Sequence, residues 1–183
     1  MLPKRVYLSL GSNLGEREEN LRRALEALAQ HDIEILAQSS IYGTEPQDFP
    51  NQRWFLNMVV ACETRLLPLQ LLRTVQQIER DLGRTRNAVY KGPRTIDIDI
   101  LLFGATTMKT TPLTIPHARM FDRRFVLVPL LEIAPAMRHP TTGEPLTTYL
   151  GRVATQRLRK LQTNLDHRNP APTHEHLETE SEA

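Results

Sequence analysis

Thr95 to Phe103, TIDIDILLF, is the segment that most restricts what this chain can fold into. Isoleucine alternates with aspartate at a period of two, the period of a strand and not of a helix. Successive side chains of a strand point to opposite faces. Ile96, Ile98, Ile100 and Leu102 are therefore expected to face a helix-covered core, and Asp97 and Asp99 to share the other face. The strand rise sets the two aspartate Cα atoms ~6–7 Å apart. Carboxylates at that spacing converge on shared hard cations, and Mg²⁺ takes one or two carboxylates with water and phosphate oxygens in its other positions. The bland reading is a solvated polar face. Against it, aspartate is depleted in strands, and two like charges on one face repel unless something positive lies between them. A metal or cation site is the better reading.

The segment directly before it, GRTRNAVYKGPR from Gly83 to Arg94, carries Arg84, Arg86, Lys91 and Arg94 and no acidic residue. Glycine and proline make it a loop. Arginine forks match phosphate oxygens bidentately. By itself such a loop reads equally well as a solvated basic surface. Abutting two carboxylates, it is better explained by a metal–polyphosphate ligand, with carboxylates holding cations and arginines holding the remaining phosphate charge. Pro116-His117, Arg119, Arg123 and Arg124 form a third, weaker cluster.

The rest of the chain supplies the frame. Val6 to Leu10 alternates as a first strand, expected to break at Gly11-Ser12-Asn13. A helix follows from about Gly15, with Leu21, Ala24, Leu25 and Leu28 on one face. Ile33, Ile35, Ala37, Ser39 and Ile41 alternate as a second strand, and Phe55 to Glu63 as a third. Gly43 to Arg53 is a long loop, a feature often tied to function. Pro68 is placed for a helix start. Leu71, Leu72, Val75, Ile78 and Leu82 give that helix its apolar face, and Gly83 ends it. The order β-α-β-β-α-β is that of the ferredoxin-like α+β sandwich, an antiparallel sheet under two helices. A proline-punctuated stretch runs on to Pro145, and a last helix is expected from Thr147, with Tyr149, Leu150, Val153 and Leu158 on its apolar side.

Charge divides the 183 residues into a body and a tail. Residues 162–183 hold Asp166, Glu175, Glu178, Glu180 and Glu182 against Arg168, a net of −4, so residues 1–161 carry +6 of the overall +2. The tail lacks hydrophobic periodicity and reads as disordered; the domain is expected over 1–161. A basic body suits an anionic ligand. Aromatics at 5% argue against a base-stacking platform. With Cys62 alone, neither an internal disulfide nor a cysteine-built zinc site is possible, which suits a reducing, cytoplasmic setting. No apolar run is long enough for a membrane span. No P-loop, dinucleotide fingerprint, protein-kinase signature or nucleophile elbow occurs. Gly11-Ser12-Asn13-Leu14-Gly15 has the form of an anion-cradling turn, although strand-to-helix turns take that form for steric reasons too.

Gly92-Pro93-Arg94-Thr95-Ile96-Asp97-Ile98-Asp99-Ile100-Leu101-Leu102 resembles the signature of the 6-hydroxymethyl-7,8-dihydropterin pyrophosphokinases. Gly11-Ser12-Asn13-Leu14, Tyr42 with Thr44 and Pro46, Phe55-Leu56-Asn57, Pro116-His117, Arg123 with Phe125, and Glu132-Ile133-Ala134-Pro135 follow in that family's order and spacing. The resemblance covers about residues 4–161. It implies a ferredoxin-like fold and transfer of pyrophosphate from ATP to a reduced pterin in folate biosynthesis. It implies that Asp97 and Asp99 hold two Mg²⁺ ions with ATP. Arg84, Arg86, Arg94, His117 and Arg123 would surround the phosphates, with Arg84 and Arg94 catalytic. Gln76 and Glu79 would lie near the nucleotide. Asn57 would bond the pterin ring between Phe55 and Phe125, and Thr44, Glu45 and Pro46 would contact it from their loop. Many relatives carry a basic residue two places before Gly92 and an aromatic directly before it; here Tyr90-Lys91 reverses that order, and Asn87 stands where a basic residue is common. A monomer without nucleic-acid or membrane partners is expected.

Two other classes compete. A ferredoxin-like RNA-binding module would use the basic loop on phosphates and the sheet on bases, but its face would carry Asp97 and Asp99, and the aromatic motif of that module is absent. A metal-dependent phosphohydrolase shares the carboxylates and differs in consuming ATP without pterin.

Overall fold

The computed structural model describes residues 2–45, 53–83 and 94–161. The expected tail, Pro46, and the loop residues Arg84, Arg86, Asn87, Tyr90 and Lys91 lie outside them.

The fold is a mixed α/β arrangement around one antiparallel sheet. In chain order it comprises β1 (Lys4–Ser12), α1 (Arg17–Gln30), β2 (Ile33–Gln38), β3 (Tyr42–Thr44), β4 (Phe55–Thr64), α2 (Pro68–Asp81) and β5 (Asp97–Phe103). A small hairpin follows, β6 (Met108–Lys109) and β7 (Thr114–Ile115), then α3 (Arg124–Ile133), a 3₁₀ segment (Leu146–Val153) and β8 (Leu158–Lys160). β5 lies at one edge, then β1, then β4. Beyond β4, β2 pairs with one end and β3 with the other, and β8 flanks β3.

The two βα halves form for the reasons their sequences suggest. α1 buries Leu21, Ala24, Leu25 and Leu28, and Glu18 and Glu19 occupy its first turn, where the helix dipole favours acids. α2 starts at Pro68, and the Leu67 N–H donates to Gln70 Oε1 at 2.8 Å. It stops at Gly83, whose φ of +88° suits glycine. Both helices cover one sheet face, where Leu8, Leu10, Met58, Val60, Ile98 and Ile100 meet Leu25, Leu28, Leu71 and Ile78.

Several expectations are corrected. β1 does not break at Gly11; it runs through Ser12 because Gly11 is paired on both sides, with Asn57 of β4 and Asp97 of β5. The second strand is interrupted after Gln38, where the Ser39 hydroxyl instead of a backbone carbonyl accepts the Val59 N–H at 3.0 Å. The long loop after Gly43 is entered through β3, so Gly43 and Thr44 are strand residues. Leu102 does not join the helix-covered core. The pairing steps from Leu8↔Ile100 to Tyr7↔Leu102, which makes Leu101 an extra bulged residue. Leu102 consequently joins Leu101, which alternation already places there, in a second core on the opposite face, with Val59, Val126, Leu127, Leu130 and Tyr149. α3 lies in the stretch expected to be only proline-punctuated, with Pro129 inside it. The last helix is a 3₁₀ segment, and Leu158 belongs to β8.

Candidate active site

On the face opposite α1 and α2, the register sets Asp97, Gly11, Asn57 and Tyr42 in one row across four strands. Asp99 lies opposite the buried Ser9 in the next row. Gly11 is required by space: a Cβ there would fall 2.7 Å from Asn57 Oδ1. Asn57 is itself buried, and its amide donates to Thr44 Oγ1 at 2.7 Å. The floor of the site is thus a carboxylate row at one edge and an amide–hydroxyl pair two strands away.

Cations converge on the carboxylates from three segments. The Arg94 guanidinium is ion-paired with Asp97 Oδ2. Arg94 is held by its backbone: its N–H donates to Asn13 Oδ1 at 2.7 Å, and its carbonyl accepts the Asn13 N–H at 3.1 Å. Asn13 is buried in turn, and its turn is braced by the Asn20 amide, which donates to Ser12 Oγ and to the Leu14 carbonyl. Arg123, just before α3, reaches Asp99 Oδ2 at 3.4 Å, and His117 Nε2 lies 3.9 Å from the same oxygen. The bulge positions that histidine, since the Leu101 carbonyl accepts the His117 N–H at 2.9 Å. His117 Nδ1 faces the Arg119 N–H at 3.2 Å and accepts it, which leaves Nε2 as the proton-bearing nitrogen of the neutral ring toward Asp99.

Burial pushes the Asp99 carboxyl above the ordinary aspartate range; the Asp97 charge adds to the push, and His117, Arg123 and Arg94 oppose it. Burial also pushes the His117 imidazole below its usual value, against the pull of Asp99. Two like charges thus stand close on one face, with Arg94, Arg123 and His117 facing them among the described residues, a setting in which a divalent ion would be favoured. Two carboxylates are also the donor set that Mg²⁺ shares with phosphate oxygens. Among the described residues, no group of three or more His, Cys, Asp or Glu side chains forms a closed metal cage.

The remaining expected site residues fall into distinct places. Glu79 is buried beneath β5, where its Oε1 accepts the Ile98 N–H between the two aspartates at 2.8 Å. Gln76 is half-buried on α2, one turn earlier. Phe55 pairs with Thr44 across the β4–β3 ladder. The Glu45 carboxylate takes a 2.7 Å bond from Arg157. Phe125, in the first turn of α3, packs against the second core and has the Arg123 guanidinium 5.5 Å from its ring centre. Gly11, Asn20 and the backbone grip of Asn13 on Arg94 were not assigned such roles from sequence. The Gly11-Ser12-Asn13 turn is the local sign that sequence offers of them.

Comparison with known proteins shows the family. The model of the family described as 7,8-dihydro-6-hydroxymethylpterin-pyrophosphokinase (HPPK) matches residues 7–135. The 2-amino-4-hydroxy-6-hydroxymethyldihydropteridine pyrophosphokinase of Bacillus subtilis is 47% identical over 139 residues, covering 75% of this chain and 83% of that protein. The folic acid synthesis protein fol1 of Schizosaccharomyces pombe is 42% identical over 157 residues, 85% of this chain but only 21% of that protein. Among solved structures, Plasmodium falciparum HPPK-DHPS, wild type with pteroate, aligns with a TM-score of 0.65 at 16% identity, over 82% of this chain and 42% of that one. That likeness concerns the fold alone.

Proposed function

The chain belongs to the 7,8-dihydro-6-hydroxymethylpterin-pyrophosphokinase family, and on that premise we propose how its residues transfer pyrophosphate from ATP to the hydroxymethyl group of 6-hydroxymethyl-7,8-dihydropterin. The products are AMP and the pterin diphosphate, an intermediate of folate synthesis. The observation that carries the assignment is the Asp97–Asp99 pair ringed by Arg94, Arg123 and His117.

The pterin alcohol attacks the β-phosphorus of ATP in line, and AMP leaves. Such transfers depend on positioning and charge neutralisation more than on covalent help. Asp97 and Asp99 would hold two Mg²⁺ ions, which would supply charge neutralisation at the attacked phosphate. Arg94, Arg123 and His117 border the phosphates from the remaining sides, joined by Arg84 and Arg86, and Arg84 and Arg94 meet the charge that develops on the leaving group. Gln76 and Glu79 serve the nucleotide side, Glu79 by fixing the backbone between the two aspartates. Asn57 bonds the polar edge of the pterin, Phe55 and Phe125 stack on its faces, and Thr44, Glu45 and Pro46 border it. No side chain is needed as a strong general base, and none is named.

The enzyme is proposed to act as a cytoplasmic monomer on ATP and reduced pterin, without nucleic acid or membrane. Among the described residues no helix is long and apolar enough to cross a membrane. The order β5-β1-β4-β2 is read as ferredoxin-like, with β3, β8 and the α3 layer added. Residues 1–161 form the catalytic unit, and residues 162–183 stand outside it. The RNA-binding and phosphohydrolase readings gain no support from the named relatives. Incubation with ATP, Mg²⁺ and 6-hydroxymethyl-7,8-dihydropterin, followed by separation of nucleotides, tests the proposal. AMP that appears only with pterin is expected; ADP, or ATP loss without pterin, would contradict it.

A further inference from the structure

Thr44 and Asn57, the residues proposed to meet the pterin, depend on β3, a strand of three residues. Its ladders to β4 and to β8 span three residue pairs each. It is tied in addition by a carboxylate from the other side of the second core. Glu132, in the last turn of α3, accepts from Tyr42 Oη at 2.9 Å and from the Ser40 N–H at 3.1 Å through Oε2. Through Oε1 it accepts from Ser40 Oγ at 2.7 Å and Lys160 Nζ at 2.9 Å. The donors come from three places: the interruption before β3, β3 itself, and β8, where Lys160 is the direct partner of Tyr42. Tyr42 is buried and stands two residues before Thr44 on the same face of the strand. It is also the register partner of Asn57.

The electrostatics agree with this geometry. Burial pushes the Glu132 carboxyl up, but the bonds from Lys160, Ser40 and Tyr42 hold it below the ordinary range, so it is charged. Burial and the bond to Glu132 push the Tyr42 phenol up to about 12, so it remains a donor. Loss of the carboxylate would leave a buried phenol and a backbone N–H without their acceptor. The strand carrying Thr44 would then be free to shift against β4.

We propose that Glu132 is a positioning residue for the pterin half of the site: through Ser40, Tyr42 and Lys160 it holds β3 so that Thr44 and Asn57 keep the geometry that accepts the pterin ring. This rests on the pyrophosphokinase reading. It assigns Glu132 no contact with substrate, and it confines the effect of Glu132 to one substrate.

Steady-state kinetics of the full chain test it, with ATP and 6-hydroxymethyl-7,8-dihydropterin varied separately. Glu132→Gln, which loses the charge and turns one acceptor into a donor, is expected to raise KM for the pterin about tenfold. KM for ATP and kcat should stay within about twofold of wild type. Tyr42→Phe, which removes one hydroxyl and keeps the ring, is expected to raise pterin KM by about threefold and guards against a Gln variant that does not fold. A lowered melting temperature with unchanged pterin KM in both variants would show a purely structural role and overturn the proposal. Equal rises in the KM of both substrates would overturn it too. Absence of pterin-dependent AMP in the wild type would overturn the reaction and, with it, this positioning role; an active wild type whose variants keep its pterin KM would overturn the positioning role alone.

Discussion

One face of the sheet is built in two contrasting ways along the single strand β5. Before the bulge, Asp97 and Asp99 are about a quarter to a third exposed and are met by Arg94, Arg123 and His117. After it, Leu101 and Leu102 are buried under α3 and the 3₁₀ segment. The bulge at Leu101 adds Leu102 to the face on which the aspartates and Leu101 already stand, and the Leu101 carbonyl receives the loop that brings His117 to the site. The covered half is a core that resists change in volume. The open half keeps like charges close, with Arg94, Arg123 and His117 as their partners among the described residues. A fold can therefore hold an electrostatically unfavourable cluster because packing a few residues farther along the same strand fixes it.

Changes in the open half should alter activity far more than folding. Asp97→Ala is expected to lower kcat by about a thousandfold or more, with the circular dichroism spectrum unchanged; near-normal activity would sink the metal assignment. Changes in the covered half should do the reverse. Leu130→Ala, at a position with no exposure, is expected to cost about 2–5 kcal/mol in denaturant unfolding, while the folded fraction keeps its turnover. If the turnover per folded molecule fell as far as for Asp97→Ala, the two halves would not be separable.

Gly11→Ala probes the junction between the carboxylate row and Asn57. The added methyl meets Asn57 Oδ1, so KM for the pterin should rise by roughly tenfold with a smaller change for ATP. The charge relation gives a subtler effect. The folded chain holds the Asp99 proton more tightly than the unfolded chain does. Its contribution to stability is full below the ordinary aspartate range and is lost as pH rises through the raised value. Without Mg²⁺ near neutral pH, Asp99→Asn should therefore melt slightly higher than wild type, with a flatter dependence on pH above the aspartate range. A lower melting temperature would mean that Arg123 and His117 already satisfy the carboxylate. Removal of residues 162–183 should change neither kinetics nor melting, and a loss of turnover in the truncated, folded protein would bring the tail into the site.

The open half was more legible in the sequence than the covered half. Two aspartates in an isoleucine strand break the usual strand composition, so they announce themselves, and α1 and α2 show a clear helical period. α3 shows none: RFVLVPLLEI is apolar almost throughout, and its internal proline reads as a breaker. The LLF run after Asp99 is apolar on both faces, so nothing in it marks the bulged residue. β3 and β8 are too short to alternate. The contacts that fix the site also lack a local pattern. Asn13 and Arg94 are 81 residues apart and Tyr42 and Glu132 are 90 apart, and single hydrogen bonds over such separations leave no periodicity to read.

The central claim is that the Asp97–Asp99 pair takes its neutralising charge from Mg²⁺ bound together with ATP. Titration calorimetry with a non-hydrolysable ATP analogue, on wild type and on Asp99→Asn, with and without Mg²⁺, tests it most directly. Wild type should bind the analogue much more tightly with Mg²⁺ than without, and Asp99→Asn should lose most of that gain while remaining folded. An equal Mg²⁺ gain in both proteins would contradict the claim and move the metal away from the carboxylate pair.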